Sequence, residues 1–234
     1  ERGGKSVLIV TDPGVLSAGL LEKSLSGFKS AGLPLQIFSD VQADPPISVI
    51  NNAVRVAQEY GADFIVGFGG GSSMDVAKLV ALLALGKEKL ADIYGVDMVK
   101  GPRLPLILVP TTAGTGSEAT KSSVVTVSES EKKGILSPHL LPDLALLDAE
   151  LTLGLPPHVS AATGIDAMVH AIEAFTTKRL KNPMADCLAK EALRLLSGNL
   201  HKVVNAGNDI VARENMLLGA CLAGMAFANA PVAG

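Results

Sequence analysis

The sequence predicts an α/β protein, in which a doubly wound parallel sheet is followed by an all-helical part. Over residues 1–150, short β-branched apolar runs alternate with segments of helical spacing. This alternation is typical of parallel sheets with helical crossovers. One apolar run stops at three glycines, Gly69, Gly70 and Gly71, and an apolar helix-like run follows them. Beyond residue 157 the pattern changes to three successive helix-like segments.

The first part of the chain alternates predicted strands with predicted helices. Each strand is a short apolar run of the kind that is buried on both faces of a parallel sheet. The first two helices close at Gly32 and Gly61, which are typical helix-ending residues. We predict strands at 7–11, 35–38, 63–69 and 104–110, and helices at 16–30, 47–60 and 76–85.

The sheet pattern gives way to a helical pattern near residue 155. Residues 124–127 and 133–136 predict an antiparallel hairpin, and residues 144–148 one more strand. After a Pro-Pro pair the chain has only helix-like spacing. We therefore divide it into an α/β domain, 1–154, and a helical domain, 155–234. The predicted helices of the second domain are 160–177, 184–196 and 213–227.

Composition excludes several classes of function. The 234 residues are 48% apolar, which allows a sizeable core. Aromatic residues are only 3%, Trp is absent and the net charge is −3, so no nucleic-acid partner is expected. Cys187 and Cys221 are too few for a disulfide framework, and we expect both to be buried in a cytoplasmic protein. Residues 216–234 carry no charge, but their small residues and Pro231 favour a buried helix, so no membrane partner is expected.

Both ends of the sequence are unusual for a complete domain. The chain begins with Glu1 rather than Met, and a core-type strand follows within a few residues. It ends on a short apolar stretch at Gly234, without a capped or polar tail. We expect a fragment or a trimmed chain.

The glycine turn suggests a seat for a phosphate. Glycine tolerates positive φ and lets a ligand approach the backbone closely. A helix N-terminus adds free N–H groups and a partial positive charge. However, the spacing of Gly67, Gly69, Gly70 and Gly71 matches neither Gly-x-Gly-x-x-Gly nor the P-loop pattern. The alternative is a tight turn between a strand and a helix that binds nothing.

Polar residues follow three predicted strands and support a cofactor site. Asp12 follows the first strand, the glycine turn follows the third, and Thr111 and Thr112 follow the strand at 104–110. Ligands of such sheets bind beyond the carboxyl ends of the strands. A carboxylate at Asp12 would accept ribose hydroxyls and repel a 2′-phosphate, the alternative being an Asp-Pro turn. Thr115 and its neighbours would hold phosphate or ribose oxygens, or cap a helix.

Asp166 and His170 are candidate metal ligands. They are separated by four residues in a predicted helix and so lie on one face, one turn apart. Oxygen and imidazole ligands suit Fe, Zn or Mn. A catalytic site needs about three protein ligands, and only these two are found, so a surface helix pair is the alternative. The other histidines, His139, His158 and His201, have the pattern of structural residues.

Three segments together resemble the iron-containing (group III) alcohol dehydrogenase family. Residues 69–75 with Lys78 resemble its Gly-Gly-Gly-Ser-x-x-Asp-x-x-Lys motif. Residues 110–118 resemble Pro-Thr-Thr-x-Gly-Thr-x-x-Glu, and residues 162–173 resemble the first metal-ligand helix. The similarity covers essentially the whole chain, in order.

The resemblance implies a Rossmann-like domain that binds NAD or NADP, with the carboxylate of Asp12 favouring NAD. It implies Fe(II), alternatively Zn(II), with Asp166 and His170 as the first two ligands, through which the metal assists hydride transfer. The substrate is then a small alcohol or aldehyde, and the full-length protein a homo-oligomer. The implied cofactor-binding residues are Asp12, Gly69, Gly70, Gly71, Ser72, Asp75, Thr111, Thr112, Thr115 and Lys133. For the last of these, Lys132 is an equal candidate.

The chain departs from the family pattern at its end. The family takes two further His ligands beyond a segment like 227–229, and this sequence stops at Gly234, short of them. Its N-terminal segment is missing as well, so truncation explains the incomplete ligand set. Alternatives within the same architecture are a polyol dehydrogenase, a dehydroquinate synthase-like enzyme or a hydroxyacid–oxoacid transhydrogenase. A nucleotide-binding fragment without activity is the non-catalytic alternative.

Overall fold

The computed structural model of this chain describes residues 4–128 and 130–230. Predictions made on Glu1 and on residues 231–234 lie outside this described part. Contact density divides the chain into two compact units. The first comprises Glu1–Val109 and Lys121–Leu146, and the second comprises Pro110–Thr120 and Leu147–Gly234. The second unit thus takes in a loop from the middle of the sequence, which a single cut at residue 154 does not separate. The 154/155 boundary itself stays a prediction.

The first unit is built on a five-stranded sheet. Its strands are β1 (Val7–Val10), β2 (Leu35–Phe38), β3 (Phe64–Gly69), β5 (Leu106–Pro110) and β8 (Leu144–Ala145), in the order β2-β1-β3-β5-β8. β1 pairs in parallel with both β2 and β3, and β5 pairs in parallel with β8. The chain runs outward from β1 to β2, returns to β3 on the other side and continues away from it. Such a reversal is the topological switch point of a doubly wound sheet.

Four helices of the described chain accompany this sheet. They are α1 (Pro13–Ser17), α2 (Glu22–Ser30), α3 (Ile47–Tyr60) and α4 (Gly71–Leu83). α3 matches the predicted helix and ends at Gly61 in the left-handed conformation, with φ 70°. α4 is buried along most of its length, as its apolar sequence predicts. It begins five residues earlier than expected because Gly71, Ser72 and Ser73 already form its first turn.

The single helix predicted at 16–30 is wrong. α1 and α2 are separate helices, and Gly19 lies between them with φ 68°, a conformation that does not continue a helix. The turn allows Leu21, which is 2% exposed, to be buried in the core. Burial of one leucine therefore outweighed a continuous helical pattern in the sequence.

A smaller sheet of three strands completes the first unit. β6 (Ser122–Ser128) and β7 (Glu131–Leu136) form the predicted antiparallel hairpin, with Val124 opposite Gly134. β4 (Gly95–Val96) adds to β7 in parallel and was not predicted. The strand order is therefore β4-β7-β6.

The second unit contains the three predicted helices, α5 (Pro157–Thr176), α6 (Pro183–Asn205) and α7 (Ile210–Asn229). All three pack against one another around small residues such as Ala167, Ala192 and Ala223. α6 is nine residues longer than predicted at its C-terminal end, and His201 lies within it. The parallel sheet and the three helices that follow it along the chain confirm the predicted fold class, an α/β part followed by a helical part.

By length and composition, one helix among the described residues passes the test for a membrane span. It is α7, with a mean hydropathy of 1.3, and 56% of its apolar window is buried inside the protein. Its packing against α5 and α6 is what the sequence predicts for a core helix.

Candidate functional site

The glycine turn lies between β3 and α4 at the switch point of the sheet. β3 ends at Gly69, Gly70 is the N-cap of α4, and the helix begins at Gly71. Because Gly70 has no side chain, no side-chain cap covers the first N–H groups of α4. Gly67 lets the helix lie close to the strand, since a Cβ there would be 2.6 Å from Cβ of Ala77. The turn therefore has the backbone geometry of an anion-binding helix N-terminus, as predicted.

Asp12 lies beside this turn. Its carboxylate Oδ1 accepts a hydrogen bond from the backbone N–H of Val15 at 3.0 Å, which caps α1. Its Oδ2 accepts a second bond from the hydroxyl of Ser73 at 2.9 Å. The prediction that Asp12 and the glycine turn meet at one edge of the sheet is thus confirmed. The sequence did not reveal Ser73 as its partner, since 61 residues separate the two.

Asp75 and Lys78 hold the hairpin onto α4. The backbone N–H of Val124 donates to Oδ2 of Asp75 at 2.9 Å. Nζ of Lys78 donates to the carbonyl oxygen of Ser122 at 2.8 Å and lies 3.6 Å from Oδ1 of Asp75. Lys78 is fully buried and is therefore not a solvated surface charge. The sequence could have indicated this burial, because Lys78 is the only charged residue in the apolar run 76–85.

Lys133 lies in β7, opposite Val125 in the hairpin. Its ammonium group is 3.7 Å from Oε1 of Glu131 and 5.5 Å from the centre of the Tyr94 ring. The side chain is 45% exposed. Lys132, the other candidate, pairs with Asp44 at 2.6 Å. The cofactor role of either lysine stays a prediction.

The loop at 111–118 belongs to the second unit and packs against two of its helices. A Cβ on Gly114 would lie 2.8 Å from Cβ of Thr163 in α5. Gly116 has φ 61°, and a Cβ on it would lie 2.7 Å from Cα of Gly224 in α7. Only a residue without a side chain allows such an approach. The backbone of the loop therefore packs directly against α5 and α7.

The three threonines of this loop differ in their surroundings. Thr111 is 4% exposed, whereas Thr112 and Thr115 are partly exposed. Oγ1 of Thr115 accepts the backbone N–H of Ser117 at 3.3 Å. Gly116, and not Thr115, is the N-cap of the helical turn Ser117–Ala119. The accepting role leaves the hydroxyl proton of Thr115 able to donate elsewhere.

Glu118 and Cys221 form a buried contact in the second unit that the sequence did not predict. Glu118 is 2% exposed and Cys221 is 8% exposed. Burial, together with the charge and hydrogen bond of Glu118, raises the pKa of the Cys221 thiol to about 12. Cys221 is thus an unreactive core residue, as predicted. Cys187 is exposed, so its predicted burial is wrong.

Asp166 and His170 face each other on α5, as their spacing predicts. Oδ1 of Asp166 lies 3.9 Å from Nε2 of His170, too far for a hydrogen bond. Since metal–ligand bonds of this type are about 2.1 Å long, one ion can reach both atoms. Nδ1 of His170 is buried without a hydrogen-bond partner, and the ring packs 4.8 Å from that of Phe227 in α7. The donor pair therefore fits a metal of the predicted type.

Within the described residues no third ligand joins this pair. No group of three or more His, Cys, Asp or Glu side chains there lies close enough to hold an ion. His158 and His201 are exposed on α5 and α6. His139 packs against Gly101, and its backbone carbonyl accepts a bond from Arg103. Among residues 4–128 and 130–230, the structure therefore contains the two candidate ligands that the sequence predicted, Asp166 and His170, and no third.

Comparison with known proteins gives matches over almost the whole chain. Residues 1–149 match the family model "Iron-containing alcohol dehydrogenase", and residues 160–234 match "Fe-containing alcohol dehydrogenase family, C-terminal". The chain is 42% identical to long-chain-alcohol dehydrogenase 1 of Geobacillus thermodenitrificans, covering 99% of this chain and 59% of that protein.

Solved structures of similar proteins agree with these matches. A 1,3-propanediol oxidoreductase superposes with a TM-score of 0.94 at 38% identity, covering 99% of this chain and 60% of that one. The NAD+ complex of sulfoacetaldehyde reductase from Bifidobacterium kashiwanohense superposes with a TM-score of 0.87 at 30% identity, covering 97% of this chain and 60% of that one. The chain thus spans about 60% of the length of the relatives that it matches.

Proposed function

Because this chain belongs to the iron-containing alcohol dehydrogenase family, we propose that the protein carrying it is an NAD-dependent and metal-dependent alcohol dehydrogenase. It interconverts an alcohol and an aldehyde or ketone by hydride transfer. The observation that carries the proposal is the pairing of Asp12 with the glycine turn at the switch point of the sheet. Dinucleotides bind at that position in doubly wound folds.

Three sets of groups on the chain match polar parts of the cofactor. The free N–H groups at the start of α4, around Gly71 and Ser72, bind the pyrophosphate. The carboxylate of Asp12 accepts the adenosine ribose hydroxyls and repels a 2′-phosphate, which selects NAD over NADP. The hydroxyls of Thr112 and Thr115 bind further cofactor oxygens. The likeness to the NAD+ complex of sulfoacetaldehyde reductase supports the same cofactor.

Asp166 and His170 are the metal ligands that this chain contributes. Their facing oxygen and nitrogen atoms suit Fe(II), or alternatively Zn(II). A metal held there supplies Lewis-acid polarisation of the alcohol oxygen. The ring of Phe227 packs on His170 and restricts its rotation. The substrate is a small alcohol or aldehyde, and the full-length protein is a cytoplasmic homo-oligomer with neither a nucleic-acid nor a membrane partner.

A diol substrate is the second candidate. It is favoured by the likeness to a 1,3-propanediol oxidoreductase. Comparing turnover of a primary alcohol with that of the corresponding diol separates the two candidates. A hydroxyacid–oxoacid transhydrogenase would instead turn over with retained cofactor and without added NAD.

The proposal is tested by assaying the full-length protein anaerobically with a primary alcohol, NAD+ and added Fe(II) or Zn(II). We expect NADH to form only when metal is present. His170→Ala should abolish both metal binding and turnover, whereas His201→Ala, an exposed histidine on α6, should leave both unchanged. Absence of metal-dependent NADH formation in the full-length protein would refute the dehydrogenase. If only the 234-residue chain is inactive, that chain is a nucleotide-binding fragment.

A further inference from the structure

The hydrogen bond between Asp12 and Ser73 fixes a carboxylate at the switch point of the sheet. Ser73 is 2% exposed, and its hydroxyl donates to Oδ2 of Asp12 at 2.9 Å. Oδ1 of the same carboxylate accepts the backbone N–H of Val15. The carboxylate is therefore held from two sides, by the start of α1 and by the first turn of α4.

Gly69 keeps this arrangement possible. Its φ is 150°, and a Cβ at this position would lie 2.7 Å from Oγ of Ser73 and 2.9 Å from Oδ2 of Asp12. Any side chain at residue 69 would therefore push the bonded pair apart. Asp12, Gly69 and Ser73 form one unit, which we term the Asp12 clasp.

We propose that Ser73 is a positioning residue that sets the preference for NAD over NADP. The proposal rests on the proposed function, in which Asp12 meets the adenosine ribose. Each carboxylate oxygen has two lone pairs, so each can accept a ribose hydroxyl beside the bond already made within the protein. A carboxylate held in place meets the two hydroxyls without losing rotational freedom on binding.

The same restraint acts against NADP. A 2′-phosphate carries a charge of about −1.5 to −2, and a nearby carboxylate repels it. A carboxylate without these bonds would rotate away from the phosphate and reduce the repulsion. The two hydrogen bonds of the Asp12 clasp prevent this rotation. Ser73 thus strengthens binding of one nucleotide and weakens that of the other, without itself touching either.

Ser73→Ala removes the hydroxyl and leaves the N-cap bond to Val15 in place. We expect weaker NAD+ binding, stronger NADP+ binding and a fall of roughly tenfold in the ratio of the two affinities, on the scale of one hydrogen bond to a charged group. Ser73→Cys keeps the shape with a weaker donor, so its ratio should fall less. It also provides a second measurement should the alanine variant be poorly folded.

The experiment is calorimetric titration of the full-length protein and its variants with NAD+ and with NADP+. Asp12→Asn serves as the positive control, because it removes the charge but keeps the N-cap acceptor. Ser137→Ala is the matched control: Ser137 is a buried serine of the same unit, 1% exposed, whose hydroxyl bonds the backbone N–H of His139. We expect its affinity ratio to equal that of the wild type.

The outcomes distinguish this inference from the proposed function. If neither nucleotide binds the wild-type protein, the proposed function fails. If NAD+ binds and Asp12→Asn alters the ratio, an unchanged ratio in Ser73→Ala overturns the role of Ser73 alone. An equal change in Ser137→Ala would also overturn it, because the effect would then follow from general loss of stability.

Discussion

The contact between Gly116 and Gly224 predicts an unusual result for a glycine-to-alanine substitution in a helix. In an unobstructed helix this change stabilises the protein by about 0.5–1 kcal/mol. A Cβ on Gly224 would lie 2.5 Å from the carbonyl oxygen of Gly116 and 2.9 Å from its Cα. Both are backbone atoms, so the loop at 111–118 must move. Overpacking of this kind costs roughly 1–3 kcal/mol, and the gain in helix propensity offsets about 0.5–1 kcal/mol of it. We therefore expect Gly224→Ala to lower the free energy of unfolding by about 0.5–2 kcal/mol.

Gly198→Ala in α6 is the matched control, since a Cβ there meets no atom within 4 Å. Urea unfolding of both variants, followed by far-UV circular dichroism, gives the two free energies. Gly198→Ala should be more stable than the wild type and Gly224→Ala less stable. Their difference isolates the overpacking cost, about 1–3 kcal/mol, because the gain in helix propensity is common to both. Equal changes in the two variants would refute the close approach.

Three further predictions concern buried polar groups. Lys78→Met removes the buried hydrogen bond from Nζ to the carbonyl oxygen of Ser122 and the ion pair with Asp75, and should lower the free energy of unfolding by about 1–3 kcal/mol in urea titrations. A thiol reagent at pH 8 should modify Cys187 alone in the native protein and both cysteines in denaturant, because burial beside Glu118 keeps the Cys221 thiol protonated. The folded-state pKa of Cys221 lies above its unfolded value, so its contribution to stability is complete below about pH 8.5 and is lost as the pH rises towards about 12.

Each of these predictions has a control. Lys29→Met, on the exposed end of α2, should change stability by less than about 0.5 kcal/mol. Modification of Cys221 in the native protein at the rate seen for Cys187 would contradict the thiol prediction. For the pH effect, Cys221→Ala should reduce the slope of stability against pH by up to about 1.4 kcal/mol per unit above pH 9. Parallel curves for wild type and variant would show that the thiol does not contribute.

Local patterns predicted most elements because strand and helix periods are properties of neighbouring residues. The run 7–11 was predictable from its own apolar spacing, and the segment 47–60 from its spacing and from Gly61 directly after it. The helix expected at 16–30 failed because Leu21 is drawn into the core, which depends on residues far along the chain. The predicted burial of Cys187 was wrong for a related reason. The residue type gives only the average burial of cysteines and does not show on which face of the helix Cys187 lies.

The candidate site was predictable where it depends on order along the chain. Parallel strands place their carboxyl ends at one edge, so Asp12 and the glycine turn could be expected to meet. Their connection through Ser73 could not, since Ser73 has the same local sequence signal as Ser72 beside it. Lys78 likewise needed the hairpin in place before its partner, the carbonyl of Ser122, could be named.

By itself the sequence determined the α/β order, the glycine turn before α4 and the one-turn spacing of Asp166 and His170. These follow from covalent order and from the periods of helix and strand, which act over a few residues. Only the tertiary structure decided the strand order that puts a switch point between β1 and β3. It alone brought Ser73 to Asp12 and Gly116 to Gly224, because such contacts join segments distant in sequence through packing that no local pattern encodes.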